Sequence, residues 1–153
     1  IAVLNAGRII QYSDPQQVLN APQGPFVAQF MSDAGLFPVS LSGGEGEGKR
    51  GGDGGGAVVL ENGSRVTGFT RMYAEVDPVL AVGDGDARVC SAEEGHVDGT
   101  VESVLFDRAG WRVQVRVGDQ ALTVLTAGDR PRVGDTVGVR FTGGTLFSRE
   151  NPR

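Results

Sequence analysis

Trp111-Arg112-Val113-Gln114-Val115-Arg116-Val117 alternates apolar and polar side chains without a miss. Successive side chains of a strand point to opposite faces, so this run reads as a β-strand with one buried face. Gly118-Asp119 turns the chain, and Gln120 to Thr126 is expected as its partner. Downstream, Arg132-Val133-Gly134-Asp135 is another turn, and Thr136 to Phe141 alternates again with Val137, Val139 and Phe141 inward. Upstream, Pro78 to Val82, Ala87 to Cys90 and Thr100 to Phe106 supply further short strands. Short strands with glycine turns every ~8–12 residues indicate a small barrel or sandwich. The larger part of the chain is expected to be all-β.

Composition agrees with that expectation. Of 153 residues, 25 are glycine, more than twice the ordinary ~7%. Aromatic residues make up 7% of the chain, so the core must come mainly from Val, Leu and Ala. The formal net charge of −5 argues against a sequence-independent nucleic-acid binder, which needs a basic surface for phosphates. No apolar run approaches the ~18 residues of a spanning helix, so a soluble chain is expected. One cysteine and one histidine build neither an intrachain disulfide nor a zinc site. Ile1 to Ile10 lacks the charged start and apolar stretch of a secretory leader. The chain starts at Ile, with Met31 and Met72 its methionines, and is expected to be part of something longer.

The first 32 residues differ in texture. Ile1 to Leu4 and Ile9 to Tyr12 are short apolar runs around Asn5-Ala6-Gly7-Arg8, a tight β-hairpin. Asp14 is suited to cap a helix and Pro15 to open it. Val18 and Leu19 would face inward, and Asn20-Ala21-Pro22 stops the helix. A second helix, Pro25 to Ser32, would carry Phe26, Val27, Phe30 and Met31 on one side. A hairpin with two helical turns is too small to fold alone and needs a body to lean on, and that body is expected to be absent from this chain. Gly43 to Gly56 holds nine glycines in 14 positions and no apolar residue. Nothing in it offsets the cost of ordering its backbone, so a flexible loop is expected between Leu36 to Leu41 and Ala57 to Leu60.

Several motifs invite a chemical reading and do not sustain it. Gly43-Gly44-Glu45-Gly46-Glu47-Gly48-Lys49 has phosphate-loop spacing, but Arg50 stands where a hydroxyl should hold magnesium. Gly51-Gly52-Asp53 then cannot open the helix whose amides would face the phosphates. Cys90 is expected to be a small buried residue, and His96 a solvated loop residue. Asp77, Asp84, Asp86, Glu93, Glu94 and Asp98 miss the spacing of a calcium loop. Trp111 is expected in the core or at a barrel rim. No catalytic, cofactor-binding or metal-ligating residue is assigned.

Leu41-Ser42-Gly43-Gly44-Glu45 resembles the signature motif of ABC-transporter ATPases, but no helix follows it to carry that role. A second likeness covers about the first fifth of the chain. Val3 to Tyr12 with Asn5-Ala6-Gly7-Arg8, then Asp14-Pro15, Val18-Leu19, Ala21-Pro22 and Pro25-Phe26-Val27-Ala28-Gln29-Phe30-Met31 is similar to the end of the nucleotide-binding domain in ABC importer ATPases. The resemblance implies that a TOBE-type (TOBE/MOP, OB-like) β-barrel should follow, and Val133-Gly134-Asp135-Thr136-Val137 resembles its late turn and strand. It departs at Val82-Gly83-Asp84-Gly85-Asp86, where the family commonly carries V-R-P-E, so no contact of that Arg or Pro is carried over.

The fold expected on this basis is mainly β, an OB-like barrel preceded by a hairpin and two short helices from an α/β ATPase domain. Residues 1–32 would be the tail of the ATPase domain and 33–149 the regulatory barrel. The family's catalytic residues map onto nothing here. ATP and magnesium are implied for the parent protein, with no cofactor in this stretch. Implied partners are a second ATPase subunit and membrane permease subunits, with a small regulatory ligand conceivable and no nucleic acid or direct membrane insertion. The implied location is cytoplasmic, at the inner face of the cell membrane. The alternative is a free-standing OB-like module for a small oxyanion or oligonucleotide; such a module needs aromatic and basic groups converging on one face. A β-barrel without a ligand is the third reading.

Overall fold

The computed structural model describes residues 1–42, 57–71 and 77–149. The chain opens with β1 (Ala2–Asn5) and β2 (Arg8–Tyr12), then α1 (Pro15–Asn20) and α2 (Pro25–Ser32). The strands β3 (Gly35–Leu41), β4 (Val58–Leu60), β5 (Arg65–Val66), β6 (Thr70–Arg71), β7 (Pro78–Val82) and β8 (Ala87–Cys90) follow. After a short 3-10 turn at Ala92–Glu94 come β9 (Val97–Asp107), β10 (Gly110–Val117), β11 (Gln120–Thr126), β12 (Thr136–Phe141) and β13 (Thr145–Ser148). The mainly β class is as the alternation predicts.

Local chemistry explains the first elements. Ala6 and Gly7 both sit at positive φ, 46° and 75°, the backbone of a two-residue turn that follows the right-handed strand twist. Asp14 caps α1: its Oδ1 accepts from the Gln17 N–H at 2.9 Å, with Pro15 in the first turn. Val18 is fully buried, but Leu19 is half exposed, so only one of the two expected side chains turns inward. In α2 the buried face is Val27 and Ala28, whereas Phe30 is 68% exposed and stacks on Phe26. Small Ala28 lets the helix approach the sheet closely, and this displaces the bulkier Phe30 outward.

β9, β10 and β11 form an antiparallel meander in which Trp111 faces Phe106 on one side and Thr126 on the other. The five-stranded sheet has the order β11-β10-β9-β12-β8, and a six-stranded sheet the order β5-β4-β3-β7-β13-β6. One core lies between them, built from Phe37, Leu80, Val113, Leu122, Phe141, Leu146 and their neighbours. The expected barrel is not closed. Edge strands β11 and β8 lie near each other without sharing a ladder. The reason is that β3, β7 and β13 pair among themselves and cover the inner face as a second sheet. β3 and β4 do form the expected hairpin, with Ser40 opposite Val59; the glycine-rich segment joining them lies outside the described residues.

Contrary to the expectation that its supporting body is absent, the opening segment packs on the sheet of this same chain. Val3, Val18 and Val27 bury one another, with Ile10, Phe26 and Met31 at the edge. Ala28 then packs with Ala34, Val79, Ala81 and Phe147 of the sheet. Full burial of a valine is worth about 1.5–3 kcal/mol, so the three valines hold the opening segment together, while Ala28 ties it to Val79 and Ala81 of β7.

Candidate functional site

The hairpin has two unlike faces. Its inner face presents Val3 opposite Gln11, and Gln11 is buried. That amide is fully used: Nε2 donates to Ser13 Oγ and the Ala21 carbonyl, and Oε1 accepts from the Gln23 N–H at 2.9 Å. A buried Gln in a strand is easily missed in sequence, because polarity there suggests an outward face. The outer face carries Leu4 opposite Ile9 and Tyr12 at the end, exposed by 59%, 64% and 81%. An apolar strand face left in water is the feature of this molecule most in need of a function.

His96 is not a solvated loop residue. Its Nδ1 accepts the Phe141 N–H at 3.0 Å, its N–H donates to the Val139 carbonyl, and its carbonyl accepts from Asn62 Nδ2 at 2.7 Å. The ring leans on Phe141, which itself packs against Phe37 in the core. Burial, and secondarily the nearby Arg140 cation, hold its pKa below the usual histidine range. The imidazole is thus a neutral acceptor for β12, and the backbone carbonyl of the same residue holds the β4–β5 turn.

Cys90 is half-buried rather than fully buried, opposite Gly138. Burial is the main cause that raises its thiol pKa, with Arg140 opposing, so it is a poor thiolate. Trp111 sits at the rim, edge-on to Phe106, with Arg130 over its ring at 5.4 Å. Asp77, Asp84, Glu93 and their fellows are spread over separate turns, and no three potential ligands gather among the described residues. Arg112 pairs with Asp84 and Asp107, Arg116 with Glu102 and Arg149 with Asp77. These arginines are spent locally and do not converge with the aromatics on one face.

Phosphate-loop spacing at Gly43 to Lys49 is followed by Arg50, and the segment lies outside the described residues.

No family model matches the chain. Curated relatives do. The sulfate/thiosulfate import ATP-binding protein CysA of Xanthomonas campestris is 30% identical over 134 residues, 87% of this chain and 37% of that protein. The spermidine/putrescine import ATP-binding protein PotA of Desulfitobacterium hafniense is 26% identical over 145 residues, 92% of this chain and 37% of that protein. This chain is a relative of ABC importer ATP-binding subunits. A shorter match, 43% over 44 residues, links it to the iron importer subunit FbpC of Escherichia coli K12. The importer relatives are much longer: the matches cover 37% of CysA and of PotA, and the short match 13% of FbpC. No described helix is long and apolar enough to cross a membrane.

Proposed function

We propose that the chain is the C-terminal region of an ABC importer ATP-binding subunit, with residues 1–32 ending the ATPase domain and 33–149 forming a TOBE-type regulatory and dimerisation region. The observation that carries this is the reach of the similarity. One match to an importer subunit runs over 134 residues, too long to be confined to either the tail or the β region. The exposed Leu4, Ile9 and Tyr12 face supports it, since an ATPase domain needs just such a surface covered by its preceding elements.

On this reading the parent binds ATP and magnesium with residues upstream and energises solute import from the cytoplasmic face of the membrane, held there by its permease. The β region acts as a lever: rigid sheets that touch across the ATPase dimer bias its open–closed equilibrium. A ligand or partner shifts turnover by its differential affinity for the two states. The weld of Ala28 to Val79 and Ala81 transmits motion between the two parts.

Steady-state phosphate release tests the proposal. The isolated chain should hydrolyse no ATP, whereas the parent subunit should hydrolyse it and change its permease-coupled rate when 33–149 is deleted. Robust turnover by the isolated chain in repeat preparations would end the reading.

A further inference from the structure

A cleft of about 430 Å³ opens between the two short helices and the edge of the six-stranded sheet, within the ~300–1,000 Å³ range of small-molecule sites. One wall is helical, with Asn20 and Ser32; the other is Asp86 and the Thr142-Gly143-Gly144-Thr145 loop. Among the described residues that line it, Asp86 carries the one charge. The position of this carboxylate is fixed. Oδ2 accepts the Gly83 N–H at 3.2 Å, and the Asp86 carbonyl accepts from the N–H groups of Thr142 and Gly143.

The glycines are needed to keep the cleft in this shape. A Cβ at Gly143 would meet Asp86 Oδ1 at 2.8 Å. One at Gly144, where φ is +140°, would meet the Ala81 carbonyl at 2.7 Å. Gly143 therefore leaves bare backbone beside an oriented carboxylate, Gly144 lets the loop lie against β7, and Ser32, Thr142 and Thr145 line the same cleft.

We propose that this cleft is a binding site for a small organic ammonium compound, its N–H groups donated to Asp86 and its remaining polar atoms to the surrounding hydroxyl and amide groups. A lone carboxylate repels anions and rewards a positive donor over a neutral one. The ligand would touch α1 and α2 on one side and the β7 and β13 ends on the other, so occupancy would hold the tail against the sheet. The site lies wholly within this chain, so it does not depend on the ATPase reading.

The test uses ethanolamine as probe, with ethylene glycol and acetate as the neutral and anionic comparisons, followed by amide chemical shifts of the purified chain. Saturable shifts at Gly83, Asp86 and Gly143 with ethanolamine, at least tenfold weaker with ethylene glycol and absent with acetate, are expected. Asp86→Asn should weaken ethanolamine at least tenfold, while Asp84→Asn, which faces Arg112 instead, should not. Because Asp86 also holds its own loop, Ser32→Lys is the second variant: it leaves the sheet untouched, places a rival cation in the cleft and should likewise weaken binding tenfold. Non-saturable shifts, equal response to acetate, or full affinity in Ser32→Lys would overturn the proposal.

Discussion

His96 is held neutral by its setting, and that has a consequence in pH. Its folded pKa lies below the unfolded one, owing to burial first and Arg140 second. The unfolded chain therefore takes up a proton first as pH falls through about 6.5. Stability is full above that value and declines below it, through the folded pKa. Urea melts between pH 8 and pH 5 should show this slope, and it should flatten in His96→Asn, which retains an acceptor for the Phe141 N–H. His96→Ala leaves that buried donor unpaired and should cost about 1–3 kcal/mol at pH 8. An unchanged slope in His96→Asn would assign the pH dependence to other groups. None of this was legible in Glu93-Glu94-Gly95-His96, where polar neighbours imply solvent. The ring is drawn in by Phe141, 45 residues away, and no local pattern encodes such a pairing. Asp14 is the opposite case: cap, Pro15 and helix are all local, and all three were readable.

Among the elements, β9 is the one on which both sides of the five-stranded sheet depend. It pairs with β12 through Val97 to Thr100 and with β10 through Thr100 to Asp107. The two pairings overlap next to Gly99, where a Cβ would collide with Val115 Cγ1. Gly99→Ala should therefore destabilise by about 1–3 kcal/mol through overpacking. Thermal unfolding checks this, and a melting temperature equal to the parent chain's would show that the strand yields freely. Period-two alternation made β10 and β12 readable to within a residue, since one face of each is buried, and the Gly118-Asp119 turn placed β11 as the partner of β10. Alternation itself could not reveal which strands pair. Whether β8 closes onto β11 or the core is roofed by β3, β7 and β13 depends on contacts far apart in sequence. Two-residue strands such as Arg65–Val66 are too short to show any period.

For the whole molecule, the unpaired apolar face of the hairpin should make the isolated chain associate. Sedimentation velocity over a concentration series is expected to show reversible self-association. Leu4→Lys with Ile9→Lys should return it to a monomer without lowering its melting temperature, because both side chains are already in water. A wild-type chain that stays monomeric at high concentration would mean that this face has no affinity for a partner. The same face is the edge that a preceding ATPase core would cover on the proposed reading, and one match to an importer subunit extends over 87% of the chain. Continuity with such a core is the central claim, and the coding sequence immediately upstream of Ile1 tests it most directly. We expect an uninterrupted reading frame encoding a phosphate loop with Ser or Thr after its Lys, followed by an apolar strand ending in paired acids. A start codon only a few triplets before Ile1, leaving no room for those elements, would contradict it.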